Sequence, residues 1–165
     1  MGSGGMRSGL DHPRRALRRA LRMGALGAWN DENDPNGDER DRHAEQYYEA
    51  LRRSKRAPIV EKLSKHGGIS QKSAQKVFDH VFINEYELDG VRKRFDASYD
   101  MAQSFQRLLS GKGIQEHDFI LLRHERLERE LMVRYNKDYR TAHDKTDRKY
   151  NYARAADEWK ARRGK

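Results

Sequence analysis

The stretch HDFILLRHERLERELMVRYNKDYRTAHDKTDRKYNY, from His117 to Tyr152, decides how this chain is read. It holds two helical patterns joined at Asn136. In the first, His117, Leu121, His124, Glu128 and Leu131 recur at spacings of four and three, which places them along one helix face. In the second, Tyr139, Ala142, His143, Thr146, Tyr150 and Ala153 do the same. An antiparallel hairpin of two such helices turns these stripes toward each other, so titratable groups face inward. Counted outward from the bend at roughly 1.5 Å per residue, Glu128 and His143 fall at similar heights and His124 lies about one turn further out. Two imidazoles and a carboxylate converging there suit a metal ion, an acid–base pair, or simple mutual hydrogen bonding.

Composition bounds the alternatives. The chain has 165 residues, enough for one domain with a tail. Hydrophobic residues make up 35% and charged residues 37%, with a mean hydropathy of −1.17, so the expectation is a small helical domain with a wet surface. There is no cysteine, which excludes disulfides, thiolate zinc sites and cysteine nucleophiles and leaves His, Asp and Glu as the metal ligands. No apolar run approaches the ~20 residues of a membrane span, and no signal-peptide pattern is present. The net charge of +9 favours polyanionic partners: nucleic acid, or an acidic inhibitor protein. That charge is uneven, since residues 1–30 contribute six Arg against one Asp and the remainder is only mildly basic.

Working outward from the hairpin, residues 1–38 divide into an expression scar (MGSGGMRSG), a basic connector helix and a turn-rich linker. The connector, Pro13 to Leu26, sets Ala16, Leu17, Ala20 and Leu21 against Arg14, Arg15, Arg18, Arg19 and Arg22. The linker is NDENDPNGD, and the domain is expected over residues 39–165. Glu39 to Ser54 reads as a helix with Ala44, Tyr47, Tyr48 and Leu51 inward. Pro58 opens a short helix closed by Gly67-Gly68, and Ser70 caps a second with Ala74, Val77, Phe78 and Val81 buried. His80 lies on or beside that apolar face. Helix, glycine turn and capped helix match a helix-turn-helix, with Gln71, Lys72 and Gln75 outward. Asp89-Gly90 marks a turn before an extended Val91–Phe95 piece. Asp96 or Ser98 caps a helix burying Met101, Ala102, Phe105 and Leu108, which Gly111 or Gly113 ends. Asp96 and Asp100, one turn apart, are placed to share a cation or to complement the helix dipole.

Two resemblances accompany these residues. Leu63, Gly68, Ile69, Ser70, Ala74, Val77 and Phe78 resemble the amino-terminal hairpin of histone-like HU proteins, although the strands and DNA-gripping arms of that family do not follow. Over a longer span, the segments IVEKLSKHGGIS, KVFDHVFINEYEL, RFDASYDMAQSFQRL, IQEHDFILLRHERLERELM and YRTAHDKTDRKYNY occur in an order that resembles a carboxy-terminal module of bacterial polymorphic toxins. Such modules are found behind phage minor head, LXG and filamentous-haemagglutinin-like proteins. His80, Asp96, Asp100, Asp118, His124, Glu125, Glu128, His143, Tyr150 and Asn151 match the pattern, and Phe105 stands where it usually has Trp. The resemblance implies an antibacterial effector, delivered from the producing bacterium into the target-cell cytoplasm and neutralised by a cognate, acidic immunity protein. It assigns no residue a role.

The sequence therefore predicts an all-α, monomeric, single multi-helix domain and, by chemistry, a nuclease. His124, His143, Glu128 and Glu125 are the expected catalytic residues, and Arg123, Lys145 and Lys72 the expected nucleic-acid contacts. In a metal-assisted form, His80, His124 and His143 would hold a divalent ion, Mg²⁺ or Zn²⁺. His124-Glu125 also begins a zinc-peptidase-like HExxH, but Glu128 stands where the second His belongs, so that motif fails at a ligand. The non-catalytic alternative is a helix-turn-helix or HU-like DNA-binding module on Ile59–Phe82.

Overall fold

A computed structural model describes residues 37–163. The basic connector and almost all of the linker lie outside the described residues. Gly37 and Asp38, counted with the linker from the sequence, already belong to the first turn of α1.

Seven α-helices are present among the described residues: α1 (Gly37–Arg53), α2 (Arg56–Gly67), α3 (Gln71–Phe78), α4 (Tyr99–Ser110), α5 (Glu116–Arg129), α6 (Tyr139–Lys149) and α7 (Tyr152–Arg163). They form one compact all-α domain. The only strands among those residues are β1 (Tyr86–Leu88) and β2 (Val91–Lys93), which pair antiparallel with Leu88 opposite Val91. Asp89 and Gly90 both have positive φ (52° and 80°), as a two-residue hairpin turn with the right twist demands.

Side-chain caps explain the helix starts. Ser70 accepts from Ser73 N–H, Ser98 from Met101 N–H, and Asp138 from Thr141 N–H. The α2 helix starts at Arg56, before Pro58, and ends at Gly68 in the left-handed region (φ 66°). At Gly67 a Cβ would collide with Leu122 Cδ1, so glycine there is what lets α2 approach α5. The α5 helix is central, packing against α2, α3, α4, α6 and α7. Tyr47, Leu51, Leu63, Ala74, Val77, Phe82, Ala102, Phe105, Leu108 and Leu121 form the core, each wholly buried.

Three departures from simple helical periodicity shape the site. The α3 pattern does not run straight to Phe82. It widens into a π-helical turn, Asp79–Ile83, closed by Asn84 N–H donating to Asp79 O at 2.7 Å. The α5 helix likewise ends in a π turn, Glu130–Arg134. Finally, Tyr139 to Ala153 is not one helix: α6 stops at Lys149, and Asn151 Oδ1 accepts from Arg154 N–H to start α7. A capping side chain at Asn151 competes with helix continuation, and the break turns the Tyr150 carbonyl inward.

Phe105 is fully buried and meets Phe82 edge-to-face at 5.0 Å. Phe105→Ala should cost about 3–5 kcal/mol in urea unfolding, whereas Val91→Ala on the exposed hairpin should stay within about 0.5 kcal/mol. Equal midpoints for the two variants would contradict this core.

Candidate active site

The inward-facing stripes predicted for the hairpin meet as expected, with Glu128 at their centre. Its Oε2 lies 2.8 Å from His143 Nδ1 and 3.3 Å from His124 Nε2. Its Oε1 lies 2.9 Å from His80 Nε2, so a third imidazole arrives from the π turn after α3. Glu125, three residues earlier on α5, places Oε2 3.4 Å from the same His80 nitrogen. The helical pattern of α3 left His80 beside the apolar face. The π turn carries it inward, where it is completely buried.

Each imidazole is also held from its other side. His124 Nδ1 lies 2.8 Å from the Tyr150 carbonyl that the α6–α7 break exposes, and 3.4 Å from Asp147 Oδ1. His143 Nε2 lies 3.1 Å from Asp147 Oδ2. His80 Nδ1 lies 2.7 Å from the Tyr86 hydroxyl, which accepts from Asn84 Nδ2 at 3.2 Å. The rings of Tyr86 and Phe95 wall His80 off from solvent.

These contacts separate the two glutamates in proton affinity. Burial opposes the Glu128 charge, but hydrogen bonds from His124, His143 and His80 outweigh it and hold the carboxyl well below the usual carboxylate range. Glu125 is pushed up to about 8 by burial and by the neighbouring Glu128 charge. The Glu128 hydrogen bond raises His143 against its burial. For His124, burial is outweighed by Glu128, the Glu125 charge and the Tyr150 carbonyl, and the imidazole rises to about 9. His80 is lowered by burial.

The cluster forms the floor of a cleft of about 530 Å³. His124, Glu125, Glu128, His143 and Asp147 line it, with Tyr139, Lys93 and Arg140 around them. His143 and Asp147 are the accessible members, at 35% and 34% side-chain exposure. Two triads have donor atoms close enough to hold a metal ion: His124, Glu128 and His143, and separately His80, Glu125 and Glu128.

Other expected residues lie elsewhere. Arg123, Lys145 and Lys72 are exposed and do not line the cleft. Arg123 borders a shallower hollow with Arg126, Lys149 and Tyr150. Asp96 pairs with Lys93 at 3.3 Å and Asp100 with Lys160 at 3.0 Å, so the two acids do not share one cation. His117 shared a stripe with His124, but it faces Arg107 Nη2 at 3.0 Å and packs on Trp159. Asp147 was legible in principle, four residues after His143 on the same helix. Tyr86, Asn84 and Arg140 carry no comparable signal.

In chelator-treated protein, stability should fall as pH rises through this cluster's range. His124, raised from 6.5 to about 9, contributes stability fully present below pH 6.5 and lost as pH passes about 9. Glu125, raised from 4.5 to about 8, acts in the same sense over its own window. Glu128 is depressed, so its contribution is present above pH 4.5 and lost only as pH falls through its folded value. The melting temperature should therefore drop between pH 6.5 and 9, and His124→Gln should flatten that slope. A wild-type melting temperature independent of pH across the window would contradict these assignments. Compared with protein-family models, characterised proteins and solved structures, the chain matches none of them.

Proposed function

We propose that this chain is a toxin-type effector that cleaves the phosphodiester bonds of RNA or DNA in a metal-assisted hydrolysis. The observation that carries the reading is the convergence of His124, His143 and Glu128 on the floor of an open cleft bordered by Lys93 and Arg140. An acid–base pair working without metal must reach oxygens on opposite sides of phosphorus, so its two nitrogens cannot be directed at the same point. Here both imidazoles point at a single carboxylate oxygen, which suits ligands of one ion better than an acid facing a base.

In this reading His124, His143 and Glu128 hold a divalent cation, which supplies Lewis-acid stabilisation of charge on the phosphoryl oxygens. Asp147 orients His143 from behind, and the Tyr150 carbonyl fixes the His124 ring. Arg140 is exposed at the cleft and pairs with a backbone phosphate, with Lys93 as the second cation. The net charge of +9 suits a polyanionic substrate and an acidic immunity protein, although residues 1–30 supply five of those charges and the cleft is rich in carboxylates that a bound cation would offset.

A second reading, DNA binding without turnover, is supported by a separate basic face. Lys76 on α3 is depressed chiefly by the charge of Arg126, with Lys72 and Arg129 adding to it, so these four cations share one face, where Glu130 pairs with Arg126. That face would bind phosphate backbone in a salt-dependent way and is equally compatible with a second contact for a cleaved substrate.

Purified protein incubated with total RNA and with plasmid DNA, in EDTA or in Mn²⁺, Zn²⁺ or Mg²⁺, separates the readings. Cleavage is expected only with metal. His143→Ala should reduce it at least about 100-fold at unchanged helix content, and Arg140→Ala should act mainly through KM. Both nucleic acids intact in every lane would overturn the nuclease reading.

A further inference from the structure

We propose that the cluster is a two-ion centre bridged by Glu128, with a second cation held by His80, Glu125 and the other Glu128 oxygen. This rests on the placement of a cation at His124, Glu128 and His143, and extends it to a site that no part of the nuclease reading requires.

The geometry is the argument. Ions bound by imidazole and carboxylate at about 2.0–2.2 Å impose separations of roughly 3.0–3.5 Å between neighbouring donor atoms. In the first triad two of the three donor separations are 2.8 Å (His143 Nδ1 to Glu128 Oε2) and 3.3 Å (His124 Nε2 to the same oxygen). In the second, two are 2.9 Å (His80 Nε2 to Glu128 Oε1) and 3.4 Å (His80 Nε2 to Glu125 Oε2). The shorter contact of each triad opens slightly around an ion, and the third pair lies within 4.8 Å. The two triads use different oxygens of one carboxylate. A carboxylate shared in that way sets two ions at roughly the 3.5–4 Å spacing of two-metal hydrolytic sites.

The surroundings of the histidines point the same way. A ligating imidazole ordinarily gives its other ring N–H to an acceptor that fixes its tautomer and orientation. All three rings here have one: the Tyr150 carbonyl for His124, Asp147 for His143 and the Tyr86 hydroxyl for His80. His80 gains most from this explanation. It is wholly buried, does not line the cleft, and would otherwise be an imidazole shared between two carboxylates. Arg129 is a cation whose field reaches His80, and the Glu128 carboxylate opposes it.

The donor set also selects the ion. Three imidazoles with two carboxylates favour Mn²⁺, Fe²⁺ or Zn²⁺ over Mg²⁺ and Ca²⁺, which prefer oxygen-only shells. Three protein ligands leave positions open for water and phosphoryl oxygen at the first ion, where His143 is a third exposed at the cleft, whereas the second is enclosed by buried residues.

The test is a Mn²⁺ titration of the EDTA-stripped, desalted chain, read by electron paramagnetic resonance without nucleic acid. Two ions should bind per chain, and the second equivalent should broaden the six-line signal through coupling across Glu128. His80→Ala should bind one ion without that broadening, and Glu128→Gln should lose at least tenfold affinity for both, with helix content checked by circular dichroism. Saturation of the wild type at one ion, or two coupled ions retained in His80→Ala, would overturn the proposal. Two coupled ions in a protein that cleaves neither RNA nor DNA would sustain the centre and overturn the nuclease reading. Cleavage that persists in EDTA without Mn²⁺ binding would overturn both the centre and the metal-assisted step, leaving a metal-free nuclease.

Discussion

Glu128 carries a negative charge into a helical domain, and imidazoles from three separate elements meet on its two oxygens. A buried carboxylate loses several kcal/mol of hydration, which only close, well-directed partners restore. The positions of those partners are therefore tied to one another. The π turn after α3 must deliver His80, α5 must present His124 on the turn before Glu128, and α6 must set His143 opposite. The dependence is greatest for α6, whose buried side chains are only Ala142 and Thr146. So little apolar area gives weak hydrophobic docking at about 25 cal/mol per Å². The contacts of His143 to Glu128 and of Asp147 to His124 are what fix this helix against α5.

The opposite end of α5 is held by a second polar network with a different character. Arg107 on α4 binds Asp118 in two parallel hydrogen bonds of 2.8 Å and also reaches Ser104 and His117. Tyr152 donates to the Asp100 carbonyl and shares a hydrogen bond with Ser104, and Lys160 completes the junction by pairing with Asp100. Asp118 also accepts the Gln115 N–H at the helix start. This network is closed over, with Trp159 stacked on Arg107, and it ties α7 to α4 and α5. A chain with only 35% hydrophobic residues thus orients its central helix with polar anchors near both ends of an apolar middle. The anchor at Asp118 is sealed, whereas the one at Glu128 opens to a cleft.

Much of this was legible in sequence wherever the pattern stayed within one helix. The stripes on His117–Tyr152 correctly brought Glu128, His143 and His124 together, because helical spacing fixes direction and a short connection fixes antiparallel pairing. The caps at Ser70 and Ser98 and the turn at Asp89-Gly90 were equally local. What escaped were the places where the backbone leaves regular geometry. A π turn has no residue signature. The sequence places His80 near the apolar face and groups it with His124 and His143, but its placement against Glu125 and the other Glu128 oxygen was not legible. The helix break at Tyr150–Asn151 depends on a cap competing with continuation, and it supplies the carbonyl that holds His124. Surface contacts are hardest to read: Arg123, Lys145 and Lys72 do not line the cleft, because charge and helix face do not specify which side of a helix borders a cleft formed by distant segments. Arg140 meets Lys93 there only because α6 lies beside the hairpin.

Stability alone does not account for the Glu128 cluster. Exchanging a buried ionic group for well-packed apolar side chains is often neutral or favourable, so a domain under no further constraint gains little from four titratable groups in its interior. The apolar means were at hand, since His80 is surrounded by the rings of Tyr86 and Phe95 and lies beside Val81 and Phe82 in the same turn. Instead, a π turn interrupts regular α-helical hydrogen bonding and aims an imidazole at the carboxylates. The sealed Arg107–Asp118 network shows what a purely structural polar anchor looks like in this protein: bidentate, complementary in charge and covered by an indole. The Glu128 cluster differs in its partners and its covering. It places carboxylates three residues apart on one helix, gathers imidazoles rather than guanidinium, and leaves His143 and Asp147 a third exposed at the cleft. Those differences are what binding and chemistry require of a site, and they are why the proposed function is assigned to this end of α5.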